Sequence, residues 1–254
     1  MASAPEILAA GLFGAVIGSF LNVVVHRVPL GESLVSPGSH CPACGAAVSP
    51  YDNVPIVSWL VLRGRCRDCG ARISARYPLV ELLTLVVFAA IVATNGFDED
   101  LLLELPFAAA LIALAAIDLD HRLLPNRIVY PLAAWGLIAT LLVDRTDLVE
   151  HLAAGAGAFT FLLLAVIAYP RGMGMGDVKL SGAMGVYLGL SVIPALLIAF
   201  LSGSIVGLTM IAREGAAARK KAVPFGVFLA LGGIVALLVG PDLIELYEDN
   251  FLGE

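Results

Sequence analysis

The chain has 254 residues, of which 59% are hydrophobic and only 14% are charged, and its mean hydropathy is +0.94. A water-soluble domain of this size needs more charge to cover its surface, so the composition argues against a soluble all-α bundle. The net charge of −6 identifies no partner, because acidic and basic residues occupy different segments. The composition indicates an integral membrane protein.

The apolar residues fall into blocks of the length that crosses a bilayer. A transmembrane helix needs about 20 mostly apolar residues, and seven segments meet or approach this length. An eighth segment, 178–190, is weaker because it contains three glycines, and the charge distribution requires it. The predicted spans are residues 7–25, 78–95, 102–117, 128–143, 151–169, 178–190, 193–212 and 223–240. The predicted fold class is therefore an all-α membrane protein with about eight transmembrane helices.

Lys and Arg residues give the predicted orientation, because the inner loops of membrane proteins are enriched in them. The N-terminal apolar run has no basic residue before it, which favours a retained helix with an outer N-terminus over a signal peptide. The resulting inner segments are residues 26–77, 118–127, 170–177 and 213–222. Together with Lys179 at a helix edge, they contain 14 of the 15 Lys and Arg residues. We predict a multi-pass protein of the inner (cytoplasmic) membrane with both termini outside.

The inner segment 26–77 contains all four cysteines, in two Cys-x-x-Cys pairs that are separated by 21 residues. This is close to the usual spacing of a structural zinc site. Each pair precedes a glycine, Gly45 or Gly70, which permits the tight turn that directs both sulfurs at one ion. Two disulfides are the alternative, but disulfides seldom persist in a reducing cytoplasm. The predicted zinc ligands are Cys41, Cys44, Cys66 and Cys69, and a closed four-thiolate site would be structural.

Two acidic positions lie at the predicted inner ends of membrane helices, where ionisable side chains are costly and usually functional. Asp118 follows the third span, and Asp177 follows a glycine-rich turn that includes Gly174 and Gly176. Asp120 lies about 200° from Asp118 around a helix, so the two cannot face one partner. We expect Asp118, which directly follows the apolar run, to face Asp177 at the same depth.

A pair of close carboxylates suits peptide hydrolysis. Both cannot ionise cheaply, so one keeps a proton near neutral pH. The charged member can activate a water while the protonated one polarises the scissile carbonyl. The residues alone leave a proton-coupled transporter open, as well as a zinc-loop scaffold without chemistry. They also leave open ion pairs of Asp118 with Arg122 and of Asp177 with Lys179.

Several residues of the first two spans have expected structural roles. Gly14 and Gly18 form a Gly-x-x-x-Gly pattern, which permits close approach of a second helix. Ser19 and Asn22 are expected to hydrogen bond to neighbouring helices. Glu81 lies early in the second span, where the helix dipole favours an anion, and its role stays open.

Taken together, the motifs resemble those of the type IV prepilin peptidase family, whose members are Gly-x-Gly-Asp intramembrane aspartic proteases. The segments that carry the resemblance are residues 18–24, 52–55, 76–81, 118–126, 174–179 and 224–226, together with both cysteine pairs. They follow one another in the family's order over nearly the whole chain. The resemblance implies that Asp118 and Asp177 are the catalytic pair. Asp120, Gly174, Gly176 and Lys179 are implied as supporting residues.

The resemblance also implies an activity and a location. The protein is expected to remove the leader peptide of type IV prepilin or pseudopilin precursors at the cytoplasmic face of a bacterial inner membrane. It is further expected to methylate the new N-terminus with S-adenosylmethionine, although a member that only cleaves is conceivable, and no residue identifies an S-adenosylmethionine site. Expected partners are the precursors and the lipid bilayer, and not nucleic acid.

The same resemblance implies a domain organisation. Residues 1–95 form an N-terminal region that contains the zinc loop 26–77 and is associated with methylation. Residues 102–240 form a six-helix aspartic peptidase domain. Residues 241–254 are expected to form an outer acidic tail.

Overall fold

The structure is a computed structural model that describes residues 2–143, 148–170, 173–215 and 223–252. Its long elements are all helices, and no β-strand occurs among the described residues. They are α1 (Ala4–Leu30), α2 (Val57–Val61), α3 (Arg76–Asn95), α4 (Leu101–His121), α5 (Asn126–Val143), α6 (Leu148–Ala168), α7 (Met175–Leu188), α8 (Val192–Glu214) and α9 (Phe225–Tyr247). The chain divides into two compact units, Met1–Phe97 and Asp98–Glu254.

Six helical stretches of the described residues are long and apolar enough to cross a membrane. They are Ala4–Leu30, Arg76–Asn95, Leu101–His121, Leu148–Ala168, Met175–Glu214 and Phe225–Asn250. The fifth stretch contains both α7 and α8, and α5 is a shorter apolar helix. With α5 counted and the fifth stretch divided, the described chain has eight apolar helices, and the predicted fold class is confirmed.

In the N-terminal unit, α1 and α3 pack closely along the Gly-x-x-x-Gly face of α1. A β-carbon on Gly14 would lie 2.7 Å from the carbonyl oxygen of Thr84, and one on Gly18 would lie 2.7 Å from the Cα of Glu81. Because later residues of α1 meet earlier residues of α3, the two helices run antiparallel. The predicted packing role of Gly14 and Gly18 is confirmed, since any side chain would push α3 away.

In the C-terminal unit, α4 runs antiparallel to α5, and α5 runs parallel to α7. Trp135, in the second half of α5, donates its indole N–H to the carbonyl of Leu102 at the start of α4 (2.8 Å). Lys179, in the first turns of α7, donates to the side chain of Asn126 at the start of α5 (3.1 Å). The starts of α5 and α7 therefore lie at the same end of the unit as the end of α4.

The weak predicted span is a separate helix, α7, whose direction is opposite to that of α8. A β-carbon on Gly226, at the start of α9, would lie 2.8 Å from Asp118 at the end of α4, so α4 and α9 are antiparallel. One on Gly240, near the end of α9, would lie 2.7 Å from Ser191 at the start of α8, so α8 and α9 are antiparallel too. The chain therefore reverses between α7 and α8, next to Gly189 in the left-handed region (φ 52°).

This arrangement places the described basic residues of the C-terminal unit at one end of its helices. Arg122 follows α4, Arg127 begins α5, Lys179 begins α7 and Arg213 ends α8. The predicted charge asymmetry is therefore present in the folded unit. Residues 219–221 and Arg145, which also enter the predicted topology, lie outside the described residues.

Two helices extend furthest beyond the predicted spans. α1 continues to Leu30 rather than residue 25, and α9 continues to Tyr247, into the segment expected to be an acidic tail. A span predicted from hydropathy marks the hydrocarbon thickness. Helical hydrogen bonding does not need an apolar environment, so polar residues continue these helices beyond it.

The core of the C-terminal unit lies where α4, α7 and α9 meet. Leu111, Met184 and Leu229 have no exposed side-chain surface. The rings of Phe107 and Tyr187 stack with their centroids 4.5 Å apart. Large apolar side chains elsewhere remain exposed, among them Leu197, Leu201 and Ile205 on one face of α8. Patches of this kind are rare on soluble monomers and suit contact with lipid.

Candidate functional site

Asp118 lies in the last turn of α4 and is buried, with 5% of its surface exposed. Asp120, two residues later on the same helix, is exposed. The helix continues through both residues to His121, so they point to different faces, as their spacing predicts. Asp118 is therefore the member of this acidic pair that faces the interior of the unit.

The carboxylate of Asp118 accepts hydrogen bonds from the backbone N–H groups of Gly226 and Val227 in the first turn of α9. The first N–H groups of a helix have no partner within the helix and carry its positive dipole end, so they bind an anion well. Oδ2 of Asp118 is buried and has no hydrogen-bond partner among the described residues. This oxygen is therefore a buried acceptor whose hydrogen-bonding capacity the described residues leave unused.

Gly226 permits this contact because it has no side chain. A β-carbon there would lie 2.8 Å from Oδ2 of Asp118 and 2.9 Å from Cδ2 of Leu124. A carbon atom at either distance would overlap the neighbouring group. The first turn of α9 can therefore reach the carboxylate only with glycine at this position.

Asp177 is the third residue of α7 and is also buried, with 8% of its surface exposed. Its Oδ2 accepts a hydrogen bond from the N–H of Gly174 (2.9 Å), so the carboxylate caps the start of its own helix. The predicted role of Gly174 as support for Asp177 therefore has a specific contact. Gly172, at the beginning of the glycine-rich turn, lies outside the described residues.

Leu124 brings the two aspartates into one site. A β-carbon on Gly176 would lie 3.0 Å from Cβ of Leu124, which also contacts Gly226. Leu124 therefore packs between the residue before Asp177 and the α9 turn that holds Asp118. The two carboxyl groups are near enough for their charges to interact.

Neither Lys179 nor Arg122 forms an ion pair with Asp118 or Asp177 in the described part of the chain. Lys179 donates to the side chain of Asn126 (3.1 Å) and lies 5.2 Å from the ring centroid of Tyr130. Arg122 follows Asp118 by one turn, in the left-handed conformation that ends α4 (φ 52°). Ion pairing with Arg122 and Lys179, which the residues alone left open, therefore does not account for the two buried carboxyl groups.

The four cysteines come together in the N-terminal unit, and none forms a disulfide. Their sulfur atoms all lie within 4.8 Å of one another, and those of Cys41 and Cys69 are 3.9 Å apart. Zn–S bonds of about 2.3 Å in a tetrahedral site place sulfurs about 3.8 Å apart. The four thiols therefore fit a zinc ion, and the predicted clustering of Cys41, Cys44, Cys66 and Cys69 is confirmed.

The two cysteine pairs have the same backbone geometry. In the first, the N–H of Cys41 donates to the Ala46 carbonyl (2.9 Å) and that of Gly45 to the Cys41 carbonyl (2.8 Å). The second repeats these bonds with Cys66 as the first cysteine. Gly45 and Gly70 both have φ near 70°, the left-handed conformation that the predicted tight turns require. N–H groups of Ala43 and Cys44 lower the pKa of Cys41, whereas the neighbouring thiols raise the pKa of Cys44, as expected where several thiols share one small space.

An ion pair connects the second cysteine pair to the segment before α2. Arg67 donates from Nε to Oδ2 of Asp52 (2.7 Å) and from its terminal nitrogen to Oδ1. This two-point contact holds the pKa of Asp52 below its usual range. It is the bidentate geometry that arginine forms best, and it ties the second cysteine pair to residues 50–53.

Sequence reasoning missed the part of α9 in the aspartate site. Residues 224–226 were noted only for their resemblance to a family helix, and Leu124 was noted only as part of a motif. The signal for Gly226 was a glycine two residues after Pro224, at the start of an apolar run. Its contact with Asp118 joins residues 108 positions apart and has no periodic signature.

Comparison with known protein families finds one matching family for each of the two units. Residues 12–95 match the bacterial peptidase A24 N-terminal domain, and residues 105–211 match the type IV leader peptidase family. No solved structure matches the chain.

Three curated relatives illustrate the likeness, and all bear the name prepilin leader peptidase/N-methyltransferase. The protein of Aeromonas hydrophila is 37% identical over 271 residues, covering 95% of this chain and 93% of the relative. That of Pseudomonas aeruginosa is 35% identical, covering 95% and 93%, and that of Legionella pneumophila is 36% identical, covering 94% and 93%. With this identity and coverage, the chain belongs to the type IV leader peptidase family.

Proposed function

We propose that this protein cleaves the leader peptide from type IV prepilin or pseudopilin precursors and then methylates the new N-terminus with S-adenosylmethionine. Family membership supports the reaction class, since the relatives with near full-length coverage are named for both activities. Apolar helices and family together identify a multi-pass inner-membrane protein. The proton-coupled transporter considered from the residues alone is not favoured.

The observation that carries the peptidase proposal is the pair of buried aspartates in the C-terminal unit. Each is held by backbone N–H groups at the start of a helix, Asp118 by α9 and Asp177 by α7. Both are buried, and their charges interact. Ionising two neighbouring buried carboxyl groups at once costs free energy, so one of them keeps its proton. A pair with one charged and one protonated carboxyl group is typical of a catalytic site.

We assign the water-activating role to Asp118, because its buried Oδ2 has no other hydrogen-bond partner among the described residues. In this mechanism Oδ2 accepts a proton from a water molecule while the water oxygen attacks the scissile carbonyl carbon. Asp177 enters the step protonated and donates a hydrogen bond to the carbonyl oxygen. The proton gained by Asp118 then passes to the leaving amine as the peptide bond breaks, which completes hydrolysis.

Gly174, Gly176, Asp120 and Lys179 are proposed to support this pair in different ways. Gly174 donates to Asp177, and Gly176 lets α7 approach Leu124. Lys179 connects α7 to Asn126 of α5. Asp120 is exposed and is assigned a role outside the chemical step.

For the N-terminal region we propose a structural zinc ion on the four cysteines, with no open coordination position and no part in bond making. The ion would hold the two cysteine turns together, and the region (1–95) would carry methyl transfer. The peptidase domain would be residues 102–240. We further propose that the zinc segment faces the cytoplasm and that both termini lie outside, since the basic residues favour that orientation.

The purified protein, incubated with a prepilin and S-adenosylmethionine, tests the proposal directly by mass spectrometry of the product. The expected product lacks the leader and carries one added methyl group on its first residue. Cleavage without the methyl group would leave a peptidase only. An intact precursor under conditions where a relative cleaves it would refute the proposed function as a whole.

A further inference from the structure

A cavity of about 570 Å³ lies within the N-terminal unit, among α1, the start of α3 and the segment between these helices that contains the four cysteines (residues 31–75, the zinc-binding segment). Its volume falls in the range of about 300–1,000 Å³ that is typical of small-molecule sites. Polar groups of three elements line it: Ser19 and Asn22 of α1, Asp52 and Ser58 of the zinc-binding segment, and Glu81 of α3. The peptidase mechanism uses none of these residues.

Glu81 is the buried anion of this cavity, with 8% of its surface exposed. Its Oε2 accepts a hydrogen bond from the backbone N–H of Ile56 (2.7 Å), and the Ser19 side chain is its other hydrogen-bond partner. Both partners are uncharged. A buried carboxylate normally pairs with a cation, and no ion pair of Glu81 occurs in the described part of the chain. The site therefore suits a cation supplied from outside.

Ile56, whose N–H donates to Glu81, has an unusual backbone conformation. Ile56 has φ 63° and ψ −51°, and a positive φ is an outlier for a β-branched residue. Strained residues persist only where their surroundings hold them, and they cluster at functional sites. Here the strain places the Ile56 N–H on the Glu81 carboxylate and fixes it at the cavity wall.

We infer that this cavity is the site of methyl transfer and that Glu81 binds the new N-terminal ammonium group and accepts its proton. The inference rests on the proposed methyltransferase activity. Both reactants are cations: the ammonium group of the cleaved pilin, and the sulfonium of S-adenosylmethionine. A single buried carboxylate favours their approach to the same cavity.

Methyl transfer to the pilin needs a proton acceptor and a leaving group, and both are present. A proton passes from the ammonium group to the Glu81 carboxylate, and the freed nitrogen lone pair attacks the methyl carbon of the sulfonium. The carbon–sulfur bond breaks, its electron pair stays on sulfur, and S-adenosylhomocysteine leaves as a neutral thioether. The product is a methylated secondary ammonium group. A base is required because an α-amino group, with a pKa of about 7.7–8.0, is mostly protonated at pH 7.

Other titratable groups line the cavity, and a pH profile must be interpreted beside them. α1 contributes only uncharged groups, and α3 contributes Tyr77. The zinc-binding segment contributes, besides the cysteines, His40, Tyr51, Asp52, Arg67, Asp68 and Arg72. Asp52 and Arg67 are paired with each other. Glu81 is the carboxylate held by neutral partners alone and is the one assigned here.

The substitution Glu81→Gln separates this role from a purely structural one. Glutamine keeps an oxygen that can accept the Ile56 N–H and an amide that can donate to Ser19, but it cannot take up a proton. The matched control is Glu32→Gln, the same change at an exposed residue of the same unit. Zinc content and prepilin cleavage are measured in parallel and show that each variant is folded.

Methylation of a cleaved pilin is then measured for both variants from pH 7 to pH 9. At pH 7, Glu81→Gln should lower the methylation kcat by about tenfold, because without the base only about a tenth of the α-amino groups is neutral at that pH. The defect should shrink about sevenfold by pH 9, because the neutral amine is then supplied by bulk deprotonation. Glu32→Gln should match the wild type.

A Glu81→Gln protein that methylates at the wild-type rate at pH 7 would overturn the inference, and so would a defect of constant size from pH 7 to pH 9. Wild-type protein that cleaves but never methylates would instead remove the methyltransferase part of the proposed function, and the inference with it. The two failures are distinguished by the wild-type reaction alone.

Discussion

Replacing Gly226 with alanine tests whether the first turn of α9 positions Asp118. The new β-carbon would lie 2.8 Å from Oδ2 of Asp118 and 2.9 Å from Cδ2 of Leu124. Ordinary contacts of a carbon atom are about 3.5 Å or longer, so both neighbours must move by several tenths of an ångström. Overpacking of this kind costs about 1–3 kcal/mol. A displacement approaching 1 Å at a catalytic group lowers activity by about 10²-fold.

The assay is cleavage of a prepilin in detergent, with initial rates measured at saturating substrate. We expect kcat to fall by about 10²-fold for Gly226→Ala, while the melting temperature falls by only a few degrees. Gly207→Ala is the matched control, because a β-carbon at Gly207 on α8 would meet no atom within 4 Å. Wild-type cleavage by Gly226→Ala would show that α9 does not hold the carboxylate, and the positioning argument would be wrong.

Three further predictions concern the rest of the chain. About one zinc per molecule should copurify. Replacing both Cys44 and Cys69 with serine should release the zinc and make the 26–77 loop sensitive to protease. Full zinc occupancy in that variant would exclude the site. Gly14→Ala should separate α1 from α3 and destabilise the N-terminal unit by about 1–3 kcal/mol in thermal unfolding, and an unchanged melting temperature would contradict this packing. A topology reporter fused in the 98–100 loop should lie outside the membrane, and one fused near Arg219 should lie inside. The opposite result at either point would be incompatible with eight spans.

Sequence patterns predicted the parts of the fold that depend on local rules. Bilayer length and the distribution of Lys and Arg predicted the weak helix α7 as a separate span, and the structure has it. The same holds for Gly14 and Gly18, because close helix approach needs small residues at a fixed spacing. The spacing of the cysteine pairs predicted that the four cysteines cluster, since this spacing and the glycine after each pair define the two tight turns. These features are local in the chain or repeat with a known period.

The contacts that complete the sites could not be predicted in this way. The bond from the α9 turn to Asp118 and the packing of Leu124 between two glycines depend on how distant helices meet. The sequence left the role of Glu81 open, whereas the structure shows its carboxylate held by the strained Ile56 N–H. A positive φ at a β-branched residue opposes local preference, so no propensity could indicate it. Tertiary packing supplies such features, and they occur at the sites that carry the chemistry.

The most direct test of the account compares three substitutions in prepilin cleavage: Asp118→Asn, Asp177→Asn and Asp120→Asn. Asparagine is nearly isosteric with aspartate but cannot exchange the proton. We expect Asp118→Asn and Asp177→Asn each to abolish cleavage while zinc content and thermal stability stay near those of the wild type. Their combination should be no worse than either alone, because residues that act as a unit are non-additive. Asp120→Asn, at an exposed position, should retain most of the activity. Loss of cleavage in Asp120→Asn with substantial cleavage left in Asp118→Asn would contradict the assignment of Asp118 and Asp177 as the catalytic pair.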